Sequence, residues 1–124
     1  MTTDKPASRV GLLISPDLFF TSKVTGTAQA LGLRVDSVDD IARATLRLQA
    51  GDIGCVLLDL AAPRVSVADL LSAMPDSARV PIIAFGSHVN VELLESARSA
   101  GAEVMPRSQL SATLPQILRG YLIP

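Results

Sequence analysis

The sequence of 124 residues contains no tryptophan, one tyrosine, three phenylalanines and one cysteine. With so few aromatic rings, stacking on single-stranded bases has little to work with. A lone Cys55 cannot form an internal disulfide, and no cluster of His or Cys has the spacing of a structural zinc site. A reducing cytoplasm fits that usage. Charge of one sign is also lacking: 11 Lys and Arg stand against 12 Asp and Glu, a formal net charge of -1. The basic residues are scattered, so no phosphate-tracking stripe forms and direct nucleic-acid binding is not expected. Long apolar runs are missing too. Stretches such as Cys55 to Leu58 and Val80 to Phe85 fall far short of the roughly 20 residues of a membrane span. Met1 to Arg9 carries Asp4, Lys5 and Pro6 before a few apolar residues, too weak for a secretory leader. Residues 1–8 read as a flexible lead-in to one domain over 9–124.

What is present is apolar material, 48% of the chain, at a length that suits one domain of about 100–200 residues. Short apolar runs alternate with helical patterns. Arg9 to Ser15 reads as a buried strand closed by Ser15-Pro16. Ser15 is the expected cap of a helix over Pro16 to Leu31, with Pro16 at its first position, Asp17 in its first turn and Gly32 as its stop. Leu33 to Val38 is a second strand, and Asp39-Asp40 open a helix over Ile41 to Ala50. Ile53 to Asp59 is the most continuous apolar strand, so it is expected at the centre, covered on both faces. Ser66-Val67-Ala68-Asp69 reads as a capping box for a helix to Met74. Val80 to Phe85 is a fourth strand, Asn90 caps a helix ending at Gly101, and Ala102 to Met105 is a fifth strand. A last helix is expected over Ala112 to Tyr121, capped near Ser111 or Thr113 so that Pro115 falls in its first turn.

Five strands alternating with helices specify an α/β fold: a three-layer, doubly wound parallel five-stranded sheet with right-handed crossovers. Ligands gather outside the carboxyl ends of such strands. That directs attention to Ser15-Pro16-Asp17, Asp59, Gly86-Ser87-His88 and Pro106-Arg107-Ser108. Asp59 is the most conspicuous, because a carboxylate ending a buried strand needs solvent or a partner.

Asp59-Leu60-Ala61-Ala62-Pro63 after an apolar third strand resembles the receiver domain of bacterial response regulators, the CheY-like superfamily. Val80-Pro81-Ile82-Ile83-Ala84-Phe85 and Ala97-Arg98-Ser99-Ala100-Gly101-Ala102 extend the resemblance over nearly the whole chain. It implies a flavodoxin/CheY-like sheet in the order 2-1-3-4-5. It also makes Asp59 the equivalent of the phosphoacceptor that attacks a phosphohistidine, assisted by Mg²⁺ on acidic residues after the first strand. Here that loop reads Ser15-Pro16, with Asp17 one position late, so Mg²⁺ binding is expected to be weak or absent. Gly86 takes the place of the family's hydroxyl residue, with Ser87 next to it serving as a second hydroxyl or as a turn residue. The family lysine has no clear match, and Arg107 is the one available cation, a planar fork rather than a point charge. Asp59 is thus either a residual phosphoacceptor or a carboxylate that caps the following loop or pairs with Arg107. The second reading is favoured, with Arg107 supplying permanently the countercharge that Mg²⁺ would bring.

The resulting expectation is a degenerate pseudo-receiver in a two-component system or phosphorelay. It would not be an enzyme, and would act through a protein partner, either a histidine kinase or a downstream signalling protein. Self-association into a homodimer is a further option, and membranes are not. No output domain is expected to follow, so output is expected by contact, and the resemblance implies a surface of the fourth helix, fifth strand and fifth helix, a region including Leu110, Leu114, Arg119 and Tyr121. His88 reads as a solvated turn residue and Cys55 as a buried, inert thiol. The alternative is a flavodoxin-like domain that binds or transforms a small molecule in the strand-end crevice. No glycine-rich phosphate loop follows the first strand to support it.

Overall fold

The computed structural model describes residues 8–76 and 79–123. Of the expected lead-in 1–8, all but Ser8 lies outside the described residues. Strands β1 (Val10–Ile14), β2 (Val35–Val38), β3 (Ile53–Asp59), β4 (Ile82–Gly86) and β5 (Glu103–Pro106) form one parallel sheet in the order β2-β1-β3-β4-β5. They alternate with helices α1 (Leu18–Ala30), α2 (Ile41–Gln49), α3 (Val67–Ala73), α4 (Val91–Ser99) and α5 (Arg107–Leu122).

Every residue of β3 is buried, because alternate side chains of this strand enter two separate cores. Cys55 and Leu57 pack with Phe20, Val24 and Ala28 of α1 and the leucine row of α5. Val56 and Leu58 pack with Ala44 and Leu48 of α2, Leu70 of α3 and Ala97 of α4. The third layer needs a continuous apolar strand between two helical faces, and Ile53 to Leu58 provides it. At Gly54 the sheet meets the end of α5 so closely that a Cβ would lie 2.7 Å from the Tyr121 carbonyl oxygen and 2.8 Å from the Arg9 Cβ.

Several local expectations are corrected. Ser15 does not cap α1 and Pro16 is not its first residue. The helix begins at Leu18, and the Asp17 carboxylate accepts from the Phe20 N–H at 3.0 Å. The Ser15 hydroxyl is engaged elsewhere, which passes the capping role to the next oxygen-bearing side chain. Asn90 precedes α4 as expected, but its side chain makes no capping bond; its backbone at φ -94, ψ 67 lies outside the extended region from which such a side chain reaches. The last helix starts at Arg107, with Pro115 in its interior and neither Ser111 nor Thr113 as cap. Leu110, Leu114, Leu118 and Leu122 are all fully buried at four-residue spacing. That row carries the helix through Pro115 against a local penalty of about 3 kcal/mol. Leu110 and Leu114 therefore belong to the core and not to an outer contact surface, whereas Arg119 is exposed and Tyr121 is half-buried.

Both edges of the sheet are short. On β2, Asp36 pairs with Arg34 at 2.8 Å and with Arg47 of α2 at 3.0 Å. On β5, Glu103 faces solvent and accepts from the Tyr121 hydroxyl at 3.3 Å.

Candidate functional site

The ends of β1, β3 and β5 bring Ser15, Asp59 and Arg107 together. Asp59 is fully buried, and both of its oxygens are engaged. Oδ1 accepts from the Ala61 N–H at 2.9 Å, which caps the loop after β3. Oδ2 accepts from the Ser15 hydroxyl at 2.7 Å and from Nη2 of Arg107 at 3.0 Å. Ser15 Oγ in turn accepts from the Asp17 N–H at 3.1 Å. The second arm of the guanidinium, Nη1, donates to Oδ2 of Asp17 at 3.0 Å. Asp17 thus caps α1 with one oxygen and holds Arg107 with the other.

The guanidinium is also enclosed by rings. Its central carbon lies 5.0 Å from the Phe20 ring centroid and 5.4 Å from that of Phe85, and the two rings are 4.9 Å apart. Each such contact contributes about 0.5–2 kcal/mol, more as water is excluded. Together the rings and the two carboxylates hold the cation in one orientation, with its side chain 34% exposed. A buried carboxylate without a counterion would cost several kcal/mol, and pairing with added hydrogen bonds offsets that. Among the described residues no buried side-chain nitrogen or oxygen lacks a partner.

Ser15, Asp17, Asp59 and Arg107 are therefore brought together, as the sequence reading anticipated for the last two. Gly86 and Ser87 line a cleft of about 440 Å³ together with Asp59, Arg107, His88 and Ser108. A Cβ on Gly86 would meet Leu60 at 3.5 Å and Leu94 at 3.8 Å, so no steric conflict imposes glycine there. Ser87 is exposed, and its hydroxyl accepts from the Val89 N–H at 3.4 Å, the geometry of a turn residue. His88 is exposed at the cleft's rim. Cys55 is buried in β3, and burial pushes its thiol up to about 12, which leaves it inert at neutral pH. Phe20 and Phe85 were not singled out from the sequence, whereas capping of the following loop by Asp59 was, and Ala61 is the residue whose N–H it takes. The signal for Phe20 was available, since it stands three positions after Asp17 on the inner face of α1.

The chain's donors do not fit Mg²⁺. That ion requires near-octahedral oxygen ligands, and the inward-facing oxygens, Oδ2 of Asp17 and Oδ2 of Asp59, are both held by the Arg107 guanidinium. A +1 charge already stands between these two carboxylates, and Ser15-Pro16 adds no further carboxylate to compete for a metal.

Comparison with solved structures shows what this geometry is built on. The receiver domain of a sensor histidine kinase from Pseudomonas aeruginosa, with a magnesium ion coordinated in its active site cleft, superposes with a TM-score of 0.74 at 23% identity, over 93% of this chain and 98% of that one. The signal receiver domain of a response regulator from Bermanella marisrubri gives 0.76 at 15% identity, over 92% and 98%. The fold is the receiver fold. A de novo designed Rossmann 2x3 protein also matches it, at 0.70 and 17% identity over 94% of each chain, so the receiver fold alone carries no activity. No family model matches the sequence, and no curated protein matches it either. No helix among the described residues is long and apolar enough to cross a membrane.

Proposed function

We propose that this chain is a pseudo-receiver: a non-enzymatic, cytoplasmic signalling module that works by contact with a protein partner. The partner is a histidine kinase or a downstream signalling protein, with phosphorylation of Asp59 absent or vestigial. The observation that carries the reading is the bonding of Asp59. An aspartate that attacks phosphorus needs a free oxygen and a metal to neutralise the transferring phosphoryl group. Here Oδ1 holds a loop, Oδ2 holds Ser15 and Arg107, and the place between the Asp17 and Asp59 carboxylates is taken by the Arg107 guanidinium.

A contact role is supported by what surrounds the closed site. Leu18 and Phe19, at the start of α1 beside Asp17, are 79% and 92% exposed. Val89 and Val91, just before and at the start of α4, are exposed as well. Large apolar side chains held in water at the starts of two helices favour association with another protein.

The test is incubation with acetyl phosphate and Mg²⁺ followed by intact-mass measurement. The expected result is no phosphoryl adduct on the wild type. A stoichiometric adduct that disappears in Asp59→Asn would overturn the reading.

A further inference from the structure

We infer that Arg107 is a resident cation built into the cleft, and that removing its guanidinium converts the cleft into a binding site for an external cation. The inference rests on the pseudo-receiver reading and deepens it: the disagreement with Mg²⁺ arises from an occupant as well as from missing ligands. Arg107 Nη1 and Nη2 bridge Oδ2 of Asp17 and Oδ2 of Asp59, each at 3.0 Å. The group so placed is a +1 charge between two carboxylates, in contact with the Phe20 and Phe85 rings.

Truncation at Arg107 leaves those carboxylates, the Ser15 hydroxyl and the two ring faces around the vacated volume. Asp59 is fully buried, so its charge cannot be screened by bulk water as a surface carboxylate would be. Ser15 still donates to Oδ2, but a hydroxyl supplies no countercharge. A planar guanidinium ion reproduces the lost bonds, and a divalent cation satisfies the same pair of oxygens electrostatically. In the intact chain both are repelled by the guanidinium already present.

The experiment uses the full chain, with no phosphoryl donor. Wild type, Asp59→Asn, Arg107→Ala, Arg107→Met and Arg107→Ala/Asp59→Asn are titrated with ethylguanidinium chloride against matched sodium chloride, following the thermal midpoint. They are titrated separately with Mn²⁺, following loss of the free-ion electron paramagnetic resonance signal. Arg107→Met keeps an aliphatic stem over the rings and serves where the alanine variant is unstable.

The expected result is a saturable rise in the midpoint of Arg107→Ala with ethylguanidinium and uptake of Mn²⁺ about tenfold or more tighter than in the wild type. Both responses are lost in the double variant. If the single variants fold only when ethylguanidinium is present during refolding, that rescue supports the inference equally. Folded single variants that take up neither cation would overturn it, as would variants that ethylguanidinium does not rescue. Wild-type uptake of Mn²⁺ abolished by Asp59→Asn would also overturn it. An acetyl-phosphate adduct would instead overturn the pseudo-receiver reading, so the two failures are distinguishable.

Discussion

Asp17 and Arg107 stand 90 positions apart in the chain and are joined by an ion pair of 3.0 Å. The same carboxylate caps α1 through its other oxygen. The start of α1, the end of β3 and the start of α5 are therefore tied through one guanidinium, and the closure of the cleft follows from a contact between distant segments.

The dual use of Asp17 separates two variants. Asp17→Asn keeps an oxygen for the Phe20 N–H and loses the ion pair, which is half-exposed and worth about 0–1 kcal/mol. Asp17→Ala loses the cap as well, a further cost of about 1 kcal/mol. Urea unfolding should rank them in that order; equal losses would mean that the cap contributes nothing.

Asp59 and Arg107 should respond unequally to removal. Arg107→Ala strands a buried carboxylate and should cost about 3 kcal/mol. Asp59→Asn leaves a guanidinium that still pairs with Asp17 and reaches water, and should cost about 1 kcal/mol. Combining the two should cost less than Arg107→Ala alone, since the stranded charge is then gone. Equilibrium unfolding of the three variants decides it, and additive losses would show that the pair is not coupled.

Two glycines provide opposite expectations. Gly54→Ala drives a Cβ against the Tyr121 carbonyl and Arg9, and should destabilise by about 1–3 kcal/mol. Gly26 is exposed within α1 with nothing in reach of an added Cβ, so Gly26→Ala should stabilise by about 0.5–1 kcal/mol. Thermal midpoints moving in opposite directions are the readout.

Cys55 and Tyr121 both report on burial through pH. With the folded thiol pushed up to about 12, Cys55 should react with a disulfide reagent at pH 8 only as fast as the chain opens. The unfolded thiol ionises at about 8.5, so above that pH the unfolded state releases its proton first and stability falls as pH rises. Tyr121 is raised by burial first, and then by the nearby Glu103 carboxylate. As the one tyrosine in a chain without tryptophan, it can be titrated by ultraviolet absorbance without interference. Glu103→Gln should shift that titration to lower pH, and an unchanged curve would remove Glu103 as a cause.

The sheet was legible because each strand is a short apolar run bounded by a turn signal, and β3 announced its central place by being apolar throughout. Arg107 could be paired with Asp59 in advance because both stand at strand exits on the same side of the sheet. The enclosure of that cation was not legible. Phe20 and Phe85 meet through packing of α1 on β4, which no local pattern encodes. The start of α5 was misplaced because Pro115 read as a first-turn residue. The leucine row that overrides it is visible as a four-residue spacing, but its weight depends on burial against β3 and β4. Asn90 failed as a side-chain cap for the opposite reason: its residue type was right, and its backbone conformation was set by the turn from Ser87.

The two outer strands decide how copies of this chain can meet. A parallel sheet ends in rows of unpaired backbone groups, which invite another strand to add on. β2 offers only four residues, with Asp36 held there by Arg34 and Arg47. β5 is equally short, begins with exposed Glu103, and ends in Pro106, which has no N–H to donate. Strand addition at either margin would have to desolvate those charges for a few backbone bonds. Continuous sheets running from molecule to molecule, the route to fibrous aggregates, are therefore disfavoured.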